Sequence, residues 1–277
     1  MSCAIWSKVD GSSRFQDPSV FRIGHAESDR NMITTLNRLP RLPLVAVLVF
    51  LASIPSRSQA SSPSPDGTKL GLGEYCYTIT ATQDGKEQPV GNTFQSIRRE
   101  QVDGVDALAI VVHQHLSNGK FDLRDSFLLH RADLRPIRLD TDRNGSPYVH
   151  LDYTDSHVAG WKMVAGKKQP IDVTLDGPVW DGNLWGDLFA ALHLQAGMAY
   201  QIPTYQYDSG KGFLFVNVVE PRKVGTPSGV VDAWALRAGP KKDELVDYLV
   251  GGQPRIELGY AAGPNSQHLG GECGTLH

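Results

Sequence analysis

His113 and His115, one residue apart, are the first candidates for chemistry in this chain. In a strand, residues at i and i+2 lie on one face, so both imidazoles would point the same way, a spacing that suits a metal ion. A zinc site needs three or four protein ligands, so His150 or Asp152 would have to join from a neighbouring strand. The alternative is a pair of hydrogen-bonded surface histidines. With only two ligands in the pattern, no metal site and no cofactor is expected. Asp140, Asp142, Asp152 and Asp155 could supply a pair of carboxylates for glycoside hydrolysis. No pair among them sits in apolar sequence that would raise one pKa, and acidic residues on exposed strand faces and turns explain them as well. The zinc-protease spacing His-Glu-x-x-His, the nucleophile elbow Gly-x-Ser-x-Gly and a phosphate loop are absent. No catalytic residue is assigned.

The aromatic residues are more suggestive. Trp161, Trp180, Trp185 and Trp234, with Tyr200, Tyr205 and Tyr207, gather in sequence around the stretch 171–200. Trp161, Trp180, Trp185, Phe189 and Tyr205 are therefore the candidate ligand-binding residues, lining an apolar hollow. The competing reading is that these rings only fill the space between a helix and a sheet, since large aromatics dominate cores.

The elements that must position these residues are mostly strands. Period-2 alternation recurs from Glu74 onwards, as in Leu108, Ile110 and Val112 against Ala107, Ala109 and Val111. Turn signals at Asp84-Gly85, Asp103-Gly104, Asn118-Gly119 and Asn144-Gly145 join sequential antiparallel neighbours into a meander. One helix is expected within 171–200. Asp181 or Asn183 would cap it, Leu184, Leu188 and Leu192 would face the sheet, and Gly197 would stop it. The fold class is mainly β: a curved antiparallel meander, a half-barrel or open barrel of roughly a dozen strands, with one helix packed on its concave face.

Residues 1–60 are set apart. Arg38 and Arg41 precede the apolar run Leu42–Ile54, and Ser58-Gln59-Ala60 fits a small-x-small cleavage site, the pattern of a cleaved secretory signal. The run is short of the roughly 20 apolar residues of a membrane span, so no stable span is expected after cleavage. Met32 would give a signal of ordinary length, and either Met1 or Met32 serves as the start. The expected organisation is an upstream segment and signal over 1–60, a disordered Ser/Pro/Gly lead-in over 61–73, one β domain over 74–260 and a flexible tail over 261–277. The chain carries a formal net charge of −3, and its positive excess lies in the expected leader. An acidic, well-mixed surface excludes nucleic acid as a partner. Of three cysteines, Cys3 would leave with the leader. Cys76 and Cys273 remain, either paired in an oxidising compartment or as two unrelated thiols.

Three segments carry a family resemblance: Tyr75-Cys-Tyr-Thr-Ile; Pro178-Val-Trp-Asp-Gly-Asn-Leu-Trp-Gly-Asp-Leu through Leu192 and Gly197 to Ile202-Pro203; and Val231-Asp-Ala-Trp-Ala-Leu-Arg with Leu245-Val-Asp-Tyr-Leu-Val and Arg255-Ile-Glu-Leu. In these the chain resembles the exported bacterial domain-of-unknown-function family 3108, and within it the TapB-like group. The resemblance implies a periplasmic protein with a curved antiparallel sheet, and it brings no catalytic residues. The expected function is noncatalytic: a periplasmic or secreted protein binding or carrying an apolar or envelope-derived small molecule, or an envelope protein. The alternatives are an envelope hydrolase using the aspartates with His113, His115 or His150, and a structural or interaction module. Convergence of three polar groups in one cleft would favour the hydrolase. An exposed sheet edge and apolar patch would favour the module.

Overall fold

The computed structural model describes residues 65–117, 119 and 121–277. The expected leader, signal and cleavage site over 1–60 lie outside the described residues. Among the described residues the chain forms fifteen strands in one open sheet and one short α-helix. The strands are β1 (Gly73–Gln83), β2 (Lys86–Val102), β3 (Val105–Leu116), β4 (Asp122–His130), β5 (Pro136–Arg143), β6 (Ser146–Tyr153), β7 (His157–Val164), β8 (Lys167–Thr174), β9 (Trp180–Asp181), β10 (Ala199–Gln206), β11 (Gly210–Thr226), β12 (Gly229–Lys241), β13 (Glu244–Gly251), β14 (Glu257–Ala262) and β15 (Asn265–Leu269). The helix α1 is Gly186–Ala190.

The strand order is β8-β7-β6-β5-β4-β3-β2-β1-β15-β14-β13-β12-β11-β10-β9. The chain thus starts at the centre of the sheet and meanders outward to β8. It then crosses to the opposite edge at β9 and meanders back until β15 pairs with β1. All pairings are antiparallel except β9 with β10. Tight turns set the register of the first meander. Asp103 and Gly104 between β2 and β3, and Asn144 and Gly145 between β5 and β6, have φ of 51°, 82°, 51° and 70°. These positive angles fit the two-residue hairpin turns whose twist matches that of paired strands.

Alternation then decides which residues are inside. On β3, Leu108, Ile110, Val112 and Gln114 are buried while Ala109, Val111, His113 and His115 are less so. The inner positions of both meanders join in one core with Trp185, Leu188 and Phe189 at its centre. The two edges of the sheet meet through side chains rather than a backbone ladder. Tyr148 and Tyr153 of β6 pack edge-on against Tyr207 and Tyr205, with ring centroids 6.1 and 6.4 Å apart. Lys162 of β7 pairs with Asp208 just beyond β10.

The expected helix is shortened to five residues. Its N-cap residue is Trp185, which makes no side-chain capping bond. Asp181 and Asn183 are not caps, because their side chains are engaged with each other and with the sheet. Leu184 and Leu192 fall outside the helical turn, yet both are buried along with Leu188. Over its described residues, 65–73, the lead-in is also more ordered than its composition suggests. Gly67–Lys69 forms a 3₁₀ turn capped by Asp66, Leu70 is buried, and the Asp66 amide donates to Ala191 O at 2.8 Å. The domain likewise runs past Tyr260, since β15 fills the place between β14 and β1. Beyond it, the Gly270 amide donates to Cys76 O at 2.8 Å, and Cys76 and Cys273 form a disulfide with Cα atoms 5.7 Å apart.

That bridge spans 197 residues of sequence. The Cys76→Ser variant is expected to lose about 2–4 kcal/mol of stability by the loop-entropy argument, read as a lower urea midpoint. An unchanged midpoint would show that β15 pairing already holds the tail.

Candidate functional site

The segment that starts in β9 and runs into α1 is Trp-Asp-Gly-Asn-Leu-Trp-Gly-Asp, residues 180–187. It lies in the core, so each polar group needs a partner. Trp180 Nε1 donates to Asp133 O at 2.8 Å and Trp185 Nε1 to Gly182 O at 2.7 Å. Asp181 accepts from Tyr153 Oη at 2.6 Å and from both the amide and the side chain of Asn183. Asn183 Oδ1 in turn accepts from Gln206 Nε2 at 3.1 Å. The two glycines are required by close approach. A Cβ at Gly182 would lie 2.7 Å from the Gln206 side chain, and one at Gly186 would lie 1.6 Å from Glu257 Oε2.

A second buried network sits beside α1. Tyr77 Oη donates to Gln95 Oε1 at 2.8 Å, and Gln95 Nε2 donates to Asp187 Oδ2 at 2.7 Å. In parallel, Thr93 Oγ1 donates to Gln267 Oε1 at 2.6 Å, and Gln267 Nε2 donates to Glu257 Oε1 at 3.0 Å. Burial pushes Asp187 up to about 7, the Glu257 charge adds to this, and the Gln95 bond opposes it. Burial likewise raises Glu257, and it raises Asp181 to about 6 against the bonds from Tyr153 and Asn183. Asp187 and Glu257 line a cavity of only about 10 Å³, room for one water at most. No substrate reaches them there.

The candidate ligand-binding residues divide. Trp185 and Phe189 lie 6.2 Å apart and both pack on Tyr248, in the filled interior. Trp180 and Tyr205 are buried near the meeting edges of the sheet. Trp161 stands away from them, stacked on His150 at 6.2 Å with Lys168 Nζ 3.7 Å above its ring. The candidate chemistry does not converge either. His113 and His115 of β3 share Asp122, at 2.9 and 3.3 Å. His150 of β6 is held between Asp140 and Asp152, and Asp155 pairs with Arg135. Among the described residues no three His, Cys, Asp or Glu side chains are placed to hold a metal. The acids that burial perturbs, Asp181, Asp187 and Glu257, are not the aspartates singled out by sequence. Asp181 and Asp187 resemble helix-cap residues there, and Glu257 lies in an ordinary strand pattern.

Space for a ligand lies on the other face. A groove of about 530 Å³ crosses β11 to β15. Its side chains come from neighbouring register positions: Ala235 opposite Leu249, Leu249 opposite Gly259, and Gly259 opposite His268. Small residues at Ala235, Gly259 and Ala261 give it depth, and Val224, Leu249, Leu258 and Leu269 line it. Most of these join a small apolar cluster with Ala233 and Ile256 that is separate from the inner core. Arg222, Arg237, Asp247 and His268 border it. Size and lining match those of small-molecule sites.

An open antiparallel sheet, sealed at its edges by side chains and plugged by a buried crossing segment, defines the structural class. Within it, the family model described as "Protein of unknown function (DUF3108)" matches residues 76–261, and the chain belongs to that family. Comparison with curated proteins and with solved structures finds no match.

The Tyr153→Phe variant removes a donor from a fully buried carboxylate. It is expected to cost about 1–3 kcal/mol in urea unfolding. Wild-type stability would show that Asp181 does not depend on this bond.

Proposed function

We propose that this protein is an exported, noncatalytic binding protein that holds an apolar small molecule in the groove across β11–β15. The groove itself carries the reading: it is about 530 Å³, mostly apolar, and open to solvent on the face opposite the filled core. An apolar molecule seated there would remove Leu249, Leu258 and Leu269 from water, at about 25 cal/mol for each Å² covered. Two features support export. The leader pattern at Arg38–Ala60 is that of a cleaved signal. A disulfide between Cys76 and Cys273 belongs to an oxidising compartment. The hydrolase alternative finds no support in the geometry, because the aspartates and histidines it needs are bound in separate clusters. The module alternative is weakened at the exposed edge strand β8, which carries Lys167, Lys168 and Pro170, residues that discourage strand addition.

Titration with the apolar fluorophore N-phenylnaphthylamine tests binding. The wild type is expected to enhance its emission, and Ala261→Trp, a substitution at an exposed groove position, is expected to weaken binding at least about tenfold, or about 1.4 kcal/mol, with an unchanged Tm. Equal binding by both proteins would remove the groove from the account. N-terminal sequencing of protein from the cell envelope is expected to begin at Ser61, and an intact leader in the mature protein would contradict export.

A further inference from the structure

The Asp187–Glu257 network has a property that neither the fold nor ligand binding requires. Asp187 is 2% exposed, and its Oδ1 accepts no hydrogen bond among the described residues. Asp187 and Glu257 both line the small cavity beside α1, and no Lys, Arg or His lines it. Two ionised carboxylates cannot share such a space without a neutralising partner, because burial removes solvent and their charges repel.

The surrounding amides favour a proton over a metal cation. Tyr77 and Thr93 are direct cross-strand partners on β1 and β2. The Thr93 hydroxyl donates to Gln267 Oε1, and the Tyr77 hydroxyl lies 2.8 Å from Gln95 Oε1 and 3.0 Å from Glu257 O, while the NH₂ of each glutamine is turned toward a carboxyl. Each carboxyl therefore meets an N–H donor and no neutral carbonyl oxygen. A cation would be repelled by those amide hydrogens and would need oxygen ligands that are already used. A proton on one carboxyl removes one charge, and it supplies a hydrogen that a neighbouring oxygen can accept.

We propose that the buried pair Asp187 and Glu257 carries a single proton, and that this proton fastens α1 to the sheet as a pH-sensitive clasp. Among the described residues the ionisable groups around the pair are few. Tyr75 and Tyr77 face it from β1, and Tyr248 from β13. Gln95 and Thr93 from β2, Gln267 from β15 and Asn183 from the crossing segment are uncharged. Arg255, the cation packed near this helix, turns its Nη1 to Ala190 O and Leu192 O instead. The sign follows from the raised pKa of Asp187, about 7 against an ordinary 3.8. The folded state holds the proton more tightly than the unfolded chain. The clasp's contribution is therefore complete in acid, and it is lost as pH rises through the folded value. Gln267 lies between the acid cavity and the groove and lines both, so release of the clasp would reach the groove floor. The clasp itself does not depend on the groove binding anything.

Infrared difference spectroscopy on the full-length wild type provides the first test. A protonated-carboxyl band is expected near neutral pH, lost on raising the pH and missing in Asp187→Asn. Thermal unfolding gives the second. Wild-type Tm is expected to fall as pH rises from about 4 to about 7 and to level off above that, and Asp187→Asn and Glu257→Gln are expected to flatten that fall. Hydrogen exchange at Leu188–Ala191, corrected for intrinsic rates, is expected to accelerate with the same midpoint in the wild type alone. Absence of the band from the wild type near neutral pH would overturn the proposal. So would the same Tm slope in wild type and Asp187→Asn, and the infrared test stands even if the variants fail to fold.

Discussion

The structure depends on one constraint: backbone that crosses the interior must have its polar groups satisfied there. The strand order obliges the chain to pass from one edge of the sheet to the other after β8. Residues 175–179 reach β9 at that edge, and residues 182–192, buried throughout, then run through the interior before β10. Leaving a buried donor or acceptor unpaired costs about 1–3 kcal/mol, so the crossing survives only with dedicated partners. Asp181, Asn183, Gln206, Tyr153 and the two tryptophan nitrogens provide them. Gly182 and Gly186 let the segment approach the sheet closely enough for those bonds to form. The crossing then brings Trp185 and Phe189 onto Tyr248 and fills the centre.

Filling the inner face fixes where function can reside. A hollow half-barrel would have held its ligand among Trp180, Trp185 and Phe189. Here those rings are core, and their nitrogens are spent on backbone carbonyls. The opposite face is thinner in side chains because Ala235, Gly259 and Ala261 stand where larger residues would cover it. Inner and outer faces thus have separate tasks, one of cohesion and the other of exposure. Glu257 and Leu258 are adjacent on β14, one in the acid network and the other in the groove, so the two faces are one residue apart.

Much of the sheet was legible in the sequence. Leu108, Ile110 and Val112 alternate as the inner side of β3, and Asp103-Gly104 and Asn144-Gly145 sit at hairpin turns, because both signals are local. The helix was overestimated because Leu184, Leu188 and Leu192 recur at helical spacing for another reason. All three are buried by a turn, a short helix and a loop that each meet the sheet. Asp181 and Asn183 resemble caps, but their partners lie on β6 and at the end of β10, distances that sequence spacing does not encode. The lead-in was read as loose from its Ser, Pro and Gly content, while Leu70 is anchored by Arg255, far along the chain. The groove was not legible at all, since it needs the register of five strands to bring small residues into one row.

The central claim is that the inner face is closed and the outer groove is the open site. Methyl NMR of the protein during titration with dodecanoic acid tests it directly. The account predicts progressive shifts at Leu249, Leu258 and Leu269, with Leu184, Leu188 and Leu192 unmoved. Shifts centred on Leu184, Leu188 and Leu192 would contradict it, because they would place the ligand under the crossing segment.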